Sequence, residues 1–280
     1  MGLEKNLKRR RYIAFVILLV ICILWVLPIL WSLGTSFKTD IDVATNPISL
    51  IPSEWTLEKY IELFNNPDTP VLRWMSNSLI IASINTLLTL IVASFSAYAF
   101  SVLKWRGRDR IFWFVLSTMM IPSVINLVPL ISMMITFGWF STWWALIIPG
   151  LGGVYSVFLL RQFFLGIPKE LFDSGRIDGL GPWGLFRHVV LPLSKSALFV
   201  TGLFAFMGSW NDYLWPLIIM SGEVTEMQTL PVGLASLIGT SNTDYGLTLA
   251  AAILSIIPVI IVYAFTQEKI IEGVSRTGIK

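Results

Sequence analysis

The sequence predicts an all-α protein that crosses a membrane six times. Of its 280 residues, 55% are hydrophobic and only 13% are charged, whereas soluble domains carry about 25% charged residues. Its apolar runs are as long as the roughly 20 residues that a spanning helix requires. Polar loops separate these runs, and most Lys and Arg residues lie in alternate loops. These observations place the chain among the polytopic helical membrane proteins.

The spans and connecting segments follow one another in a simple order. A basic tail at 1–11 precedes an uncharged first span at 12–37, which has no signal-peptide cleavage site and is expected to be retained. A polar extracytoplasmic segment at 38–73 leads to a membrane-spanning core at 74–268, and a second tail occupies 269–280. Within the core, further spans are predicted at 74–103, 111–134, 142–162, 196–220 and 245–267.

Three interruptions are expected in the apolar runs. The charge-free run at 111–160 is too long for one crossing at about 1.5 Å per residue, and its break is predicted at 138–141. The fifth span is expected to be interrupted at Asn211 and Asp212. Pro28 predicts a kink in the first span, because proline lacks the amide that an interior helical position needs.

The distribution of basic residues predicts the orientation. If the amino terminus is cytoplasmic, 17 of the 20 Lys and Arg residues fall in the two tails and in the loops at 104–110 and 161–195. Only three remain on the other side of the membrane, and these are Lys38, Lys59 and Arg73. This bias is the positive-inside pattern, which predicts cytoplasmic termini and a cytoplasmic loop at 165–195.

A charged stretch at 167–192 lies between two apolar runs and reads IPKELFDSGRIDGLGPWGLFRHVVLP. Unpaired charge costs several kcal/mol inside a bilayer, so the stretch is expected at a membrane surface where a partner can reach it. A helix of about two turns is predicted at 169–177, because Pro168 suits the first helical position and Gly179 and Gly181 end the pattern. Its apolar face is predicted to carry three residues at helical spacing: Leu171, Phe172 and Gly175.

The sequence lacks the motifs of an autonomous enzyme or pump. It contains no G-x-x-x-x-G-K-[ST] motif for ATP, and His188 is the only imidazole. Cys22 is the only cysteine, which excludes an intrachain disulfide and a Cys/His metal cluster. Asp212 is the only acid inside an apolar run, whereas ion-driven carriers usually show several intramembrane charges. We therefore expect no catalytic residue, metal or cofactor in this chain, and an energy source supplied by another protein.

The charged stretch resembles the EAA loop of the permease subunits of ABC importers. In that pattern Glu-Ala-Ala is followed by Asp-Gly and then Leu-Pro, and Asp178-Gly179 and Leu191-Pro192 match the spacing. Asp173-Ser174-Gly175 takes the Glu-Ala-Ala position, where its glycine should weaken a helix by about 1 kcal/mol relative to alanine. Four other segments resemble the MalG-type subunit of carbohydrate importers: VLPILWSLGTSFK at 26–38, IPSEWTLEKYIELF at 51–64, FLLRQFF at 158–164 and SWNDYLWPL at 209–217.

This resemblance implies the type I ABC importer permease fold in the cell (inner) membrane, together with a set of partners. They are a second, different permease, two copies of a cytoplasmic ATPase that binds ATP and magnesium, and an extracytoplasmic solute-binding protein. Membrane lipid surrounds the spans, and no nucleic-acid partner is expected. The loop helix would insert into a cleft on the ATPase and pass its closure to the spans. The residues implied in coupling are Glu170, Leu171, Phe172, Asp173, Ser174, Gly175, Asp178 and Gly179, with Leu191 and Pro192 as the loop scaffold.

Five residues in or near the spans are candidates for contact with a transported sugar. Buried amide and carboxylate groups bond hydroxyls well, and aromatic rings stack on sugar rings. The candidates are Asn85, Asn211, Asp212, Tyr213 and Trp215. Each has a structural alternative: the polar side chains can cap a bend before Pro216 or bond a neighbouring helix, and the rings can anchor in the membrane interface.

Three classes of function remain open. A transport subunit for a sugar or oligosaccharide, worked by a separate ATPase, fits the charged loop and the missing P-loop. Importers of non-sugar solutes, such as glycerol phosphate or a polyamine, share the same pattern. An autonomous carrier or channel, and a membrane enzyme, are disfavoured because the residues that they would need are not found in the sequence.

Overall fold

The computed structural model describes residues 2–220, 227–238 and 244–277, with side chains from 8 to 267 within these ranges. Regular structure in these ranges is helical, as the composition predicts. The α-helices are α1 Gly2–Thr35, α2 Asp40–Thr45, α3 Glu58–Asn65, α4 Val71–Ser101, α5 Arg108–Ser117, α6 Leu127–Thr136, α7 Trp143–Ile147, α8 Val154–Leu165, α9 Lys169–Ile177, α10 Pro182–Leu185, α11 Leu191–Leu193, α12 Lys195–Trp210, α13 Leu214–Ile219, α14 Leu230–Ile238 and α15 Tyr245–Thr277. Shorter 3₁₀ helices occupy Thr118–Met120, Ser123–Asn126 and Pro149–Gly152, and a π-helical turn occupies Phe186–Val190.

Three helices are long and apolar enough to cross a membrane by themselves. They are α1 over Lys8–Thr35, α4 over Val71–Ser101 and α15 over Tyr245–Gln267. Three bent pairs also qualify if each pair counts as one span: Arg108–Met120 with Ser123–Thr136 at 93°, Trp143–Gly152 with Val154–Leu165 at 40°, and Pro182–Leu193 with Lys195–Trp210 at 79°. The described residues thus contain three to six candidate spans, and the predicted six is the upper figure.

Two of the predicted interruptions are confirmed, and two bends were not predicted. α6 ends at Thr136 and α7 begins at Trp143, and α12 ends at Trp210 before α13 begins at Leu214. The unpredicted bends fall at Pro122, which has no amide to donate, and at Gly153, the N-cap of α8. Bends in the middle of uncharged runs leave no mark in a charge or hydropathy pattern, which explains why they were missed.

The helices extend beyond several predicted boundaries. α1 begins at Gly2 and continues through Pro28, so the basic tail is part of the same helix. α15 runs to Thr277, well into the predicted second tail, whose residues 278–280 lie outside the described ranges. The segment predicted to be polar at 221–244 is described only at 227–238 and at 244, and it contains α14, in which Leu230 and Val232 are buried.

Hydroxyl side chains of α4 bond the helix's own backbone. Thr86, Ser94 and Ser101 each donate to the carbonyl oxygen four residues earlier, at 2.7, 2.5 and 2.6 Å. A hydroxyl group satisfied in this way can be buried in an apolar layer, because no donor is left without a partner. The small residues Ala93 and Ala97 of the same helix are fully buried, which permits close approach of neighbouring helices.

A buried lysine organises the segment after α1. Lys59 of α3 is 2% exposed, and its Nζ lies 2.6 Å from Asp40 and also pairs with Asp244. Burial by itself would lower the pKa of Lys59, but the hydrogen bonds with Asp244 and Asp40 outweigh it and raise the pKa. The charge therefore stays on Lys59 and joins three segments that are distant in sequence.

Replacement of Lys59 by methionine is expected to lower the free energy of unfolding by about 2 kcal/mol. Removal of one partner leaves a carboxylate uncompensated, and the loss is less than for a fully buried pair because the Asp40 side chain is 74% exposed. Since the pKa of Lys59 is raised on folding, the wild-type advantage is complete below the unfolded pKa of about 10.4 and disappears at higher pH. Thermal unfolding at neutral and strongly alkaline pH checks this, and an advantage that grows with alkaline pH would contradict it.

Candidate functional site

The loop helix α9 spans Lys169–Ile177, which are the predicted bounds. Pro168 is the N-cap and not the first helical residue, so it lies one position earlier than predicted. The helix ends in a Schellman motif: Gly179 adopts φ +82° and its amide donates to Arg176 at 3.1 Å, and the amide of Leu180 donates to Gly175 at 2.9 Å. Asp178-Gly179 therefore gives α9 a fixed end.

Gly179→Ala is expected to destabilise this end of α9 by about 1 kcal/mol, because a left-handed backbone conformation is strained for any residue with a Cβ. No atom of the described residues lies within 4 Å of the Cβ position at Gly179, so the cost is conformational and not steric. Hydrogen exchange at the Leu180 amide should become faster. Gly181→Ala is the control, since Gly181 has φ −73° and also has open space at its Cβ position. Equal exchange rates in the two variants would contradict the prediction.

The buried face of α9 carries Phe172 and Gly175, whereas Leu171 is 40% exposed. The prediction that Leu171 shares this face was wrong, because adjacent helical residues are about 100° apart and the contact surface is narrow. Gly175 packs against α10 so closely that a Cβ would lie 2.7 Å from Leu185 Cδ2. Gly175, which weakens the isolated helix, thus allows α9 to approach α10 closely.

Two kinds of contact attach α9 and its loop to the long helices. Phe172 belongs to a buried cluster that combines residues of α4, α8, α10, the π-helical turn and α12: Ala93, Ala97, Tyr98, Val157, Leu160, Phe164, Ile167, Phe172, Leu185, Phe186, Val190 and Ala197. The hydroxyl of Tyr98 on α4 donates to the carbonyl oxygen of Pro182 at 2.8 Å. The loop is therefore packed onto the helices and hydrogen-bonded to them.

The predicted scaffold residues Leu191 and Pro192 follow the π-helical turn. The amide of Leu191 donates to Phe186, five residues earlier, and Pro192 has no amide to give to the carbonyl of His188. In the wider π-helical turn the backbone hydrogen bonds join residues five apart, so a bond between residue 192 and the carbonyl of His188 is not part of its pattern. Leu191 also packs against the buried cluster. These contacts explain structurally why a Leu-Pro pair stands at this position.

The outer face of α9 is exposed, and Ile177 is the more exposed of the two large apolar side chains that α9 presents. The exposed residues of α9 and its C-cap are Lys169, Glu170, Leu171, Asp173, Ser174, Arg176, Ile177 and Asp178. Asp173 pairs with Arg176 at 2.7 Å, which as a surface ion pair contributes about 0–1 kcal/mol and is easily exchanged for a partner's cation. Ile177 is 87% exposed. It was not among the predicted coupling residues, although an isoleucine at the polar end of a helix was a visible signal.

A second candidate site is a cavity of about 520 Å³ beside α4, α8 and α12. Asn85 of α4 lines it and donates from Nδ2 to Ser209 Oγ at 3.0 Å and to the carbonyl oxygen of Leu146 at 3.3 Å. Its Oδ1 is buried and has no hydrogen-bond partner in the described part of the chain. The two hydrogen bonds from Nδ2 therefore orient the Asn85 amide, and its Oδ1 atom remains available as an acceptor.

The cavity brings together three of the five predicted path residues. Asn85, Asp212 and Trp215 line it, whereas Asn211 and Tyr213 do not. The Asn211 side chain donates to the carbonyl of Met207 at 2.9 Å, which caps the end of α12. The backbone amide of Trp215 donates to the Asp212 carboxylate, so this acid begins the turn of α13 as well as facing the cavity.

Several polar residues of the cavity were not predicted as path residues. They are Thr89, Ser123, Asn126, Ser156 and Ser209. They come from four separate helical segments. The bends at Pro122 and Gly153 bring these segments around one space, and Pro122 is a sequence signal for the first of the two bends but not for the set of residues.

These features define a class, a helical membrane permease with a surface helix fixed to its spans and a cavity between them that polar and apolar side chains line together. Residues 89–272 match the family described as "Binding-protein-dependent transport system inner membrane component", and the chain belongs to this family. It is the permease subunit of an ABC importer and a multi-pass protein of the inner membrane.

Similar proteins support this assignment over nearly the whole chain. The arabinooligosaccharides transport system permease protein of Halalkalibacterium halodurans is 35% identical, with 91% of each chain covered. The sn-glycerol-3-phosphate transport system permease protein of Brucella abortus is 30% identical, covering 95% of this chain and 96% of its own. The fold is also that of a chain in a bacterial ABC transporter involved in the import of alginate, with a TM-score of 0.81, 23% identity, and 92% and 95% of the two chains covered.

Proposed function

We propose that this chain is one of two different permease subunits of an importer for a sugar or oligosaccharide, worked by two copies of a cytoplasmic ATPase. An extracytoplasmic solute-binding protein delivers the substrate, and ATP and magnesium bind to the ATPase. The observation that carries the proposal is the two-sided character of α9. One face is packed into the cluster of the long helices through Phe172, and the other presents Asp173 and Ile177.

The mechanism follows from this arrangement. Closure of the ATPase pair presses on the outer face of α9, and the Schellman end prevents the helix from unwinding under the load. The Phe172 cluster and the Tyr98–Pro182 hydrogen bond pass the displacement to α4, α8 and α12. These helices then tilt between inward-open and outward-open arrangements, and the cavity that they line changes its access.

The polar lining of the cavity favours a neutral polyol over a phosphate ester. Among the described residues that line it there is no Lys or Arg, and Asp212 contributes an acid. A phosphate would meet an anion without a compensating cation, whereas sugar hydroxyls can bond amide, hydroxyl and carboxylate groups. The oligosaccharide specificity of the Halalkalibacterium relative agrees with this argument. The glycerol phosphate relative makes the phosphate ester the competing candidate.

Site-directed crosslinking tests the coupling. With Cys22→Ser as the background, Ile177→Cys should crosslink to the copurified ATPase with a short bifunctional reagent, and ATP should change the yield. Ser49→Cys, which lies in the predicted extracytoplasmic segment, is the matched control and should not react with the ATPase. Absence of a crosslink at 177 in a complex that imports at the normal rate would overturn the proposal.

Asp212→Asn is expected to weaken the apparent affinity for the transported sugar by about ten-fold, because a charged acceptor bonds a hydroxyl about 1.5 kcal/mol more strongly than a neutral one. Asparagine keeps an acceptor for the Trp215 amide, so the turn of α13 should persist. Uptake into vesicles as a function of sugar concentration measures the effect. Asn211→Ala is the control, since this neighbour does not line the cavity, and equal effects of the two changes would contradict a role for Asp212 in the path.

A further inference from the structure

The loop at 104–110 forms a basic hollow between α4 and α5. Its seven residues, KWRGRDR, enclose a volume of about 780 Å³. Both flanking helices belong to candidate membrane spans, so the loop lies where the chain leaves the apolar layer and turns back. Neither α9 nor the cavity includes any of these residues, and the proposed import mechanism leaves their charges unexplained.

Two arginines hold the loop in shape. Arg108 donates from Nη1 to two backbone carbonyl oxygens, of Ser101 and Leu103, at 3.2 Å each. Arg161 of α8 donates to a third carbonyl of this region at 3.0 Å. Both guanidinium groups also pair with Asp109, at 3.2 and 3.1 Å. The one acid of the hollow is therefore already neutralised by residues whose role is structural.

Three further cations of the hollow have no such role. Lys104, Arg106 and Arg110 are exposed, and no hydrogen bond or ion pair engages them within the ranges that the structure describes. Trp105 stands among them with its ring 38% exposed. Its Nε1 donates to the carbonyl of Ala99 at 3.0 Å, which fixes the indole at the end of α4. The loop thus presents three unused positive charges beside an oriented indole.

We propose that the 104–110 loop binds the phosphate group of an anionic phospholipid through Lys104, Arg106 and Arg110. Lysine and arginine form charge-assisted hydrogen bonds with phosphate oxygens, and an oriented tryptophan prefers the level of the headgroups. Continuity with two candidate spans places the hollow beside lipid headgroups, so a membrane lipid is favoured over an acidic protein. Each cation near an anionic bilayer surface strengthens binding by about five-fold.

Photolabelling of the complete transporter in lipid nanodiscs tests this inference. The probe is a phosphatidylglycerol with a photoreactive group close to its headgroup, and the comparison is the matching phosphatidylcholine. The peptide that contains the loop should be labelled preferentially by phosphatidylglycerol. Lys104→Gln, Arg106→Gln and Arg110→Gln together should lower that labelling by at least about ten-fold. Thermal stability should not change, because these side chains make no hydrogen bond or ion pair with the described residues.

A matched variant and two competitors separate the alternatives. Arg9→Gln, Arg10→Gln and Arg11→Gln remove the same charge from another basic segment and should leave labelling of the loop within about two-fold of wild type, because a specific site depends on its own side chains and not on the net charge of the protein. An equal loss in both variants would overturn a specific site. Complete competition by inorganic phosphate at constant ionic strength would identify a free anion as the ligand instead. Unchanged labelling with loss of the copurified ATPase would assign the surface to a protein partner.

Discussion

Phe172→Ala is expected to abolish most ATP-driven import while the ATPase still binds. The side chain is 7% exposed and fills a position in the cluster that joins α9 to the long helices. Truncation of a buried phenylalanine typically costs about 3–5 kcal/mol. Here the loss weakens the attachment of α9 to the long helices, whereas the residues on the outer face of α9 are unchanged. Import into vesicles should fall by at least about ten-fold, and ATP hydrolysis should continue without matching transport.

Leu171→Ala is the control for this experiment. Leu171 is the neighbouring residue on the same helix and is 40% exposed, so its truncation leaves the cluster filled. Thermal unfolding of the purified assembly should shift for Phe172→Ala and hardly change for Leu171→Ala. If import by the two variants were reduced equally, or if Phe172→Ala lost the ATPase altogether, the Phe172 contact would not be the step that transmits force.

Ile177→Glu is expected to release the ATPase from the complex without altering the stability of the permease. An isoleucine buried at an interface contributes about 1.5–3 kcal/mol, and a carboxylate in its place adds a desolvation cost. The affinity for the ATPase should therefore fall by about ten- to a hundred-fold. Copurification at increasing dilution, and the ATP hydrolysis rate of the complex, measure the effect.

Ile48→Glu is the matched control, because Ile48 is 86% exposed and Ile177 is 87% exposed. Both changes place a carboxylate on an exposed position, and both should leave the free energy of unfolding within about 0.5 kcal/mol of wild type. Ile48 lies in the segment after α1, away from α9 in the sequence. Normal ATPase binding by Ile177→Glu would show that α9 docks through other residues.

Local signals were sufficient to predict α9 and its ends. Pro168 and Gly179 act through their own backbone preferences, which do not depend on the rest of the fold. The same holds for the breaks at 138–141 and after Trp210, where turn-forming residues interrupt apolar runs. Composition and the length of the apolar runs likewise predicted a helical membrane protein, which the family match supports.

Contacts between distant segments could not be predicted in this way. The Tyr98–Pro182 hydrogen bond and the orphan oxygen of Asn85 depend on how α4 lies against later helices. The cavity depends on bends at Pro122 and Gly153 that the hydropathy pattern does not record. Leu171 and Ile177 show the same limit at short range, because the periodicity indicates an apolar face but not how wide a neighbouring surface covers it.

The π-helical turn before Pro192 restricts the kinds of motion available to the loop. A π turn carries one extra residue, and its conversion to α-helix would rotate every later side chain by about 100°. Such a conversion would bring the ring of Pro192 against the carbonyl of His188, which costs about 3 kcal/mol or more. The proline therefore favours the π-helical form of Phe186–Val190. Translation or tilt of the whole loop is thereby favoured over rotation of its residues about the helix axis.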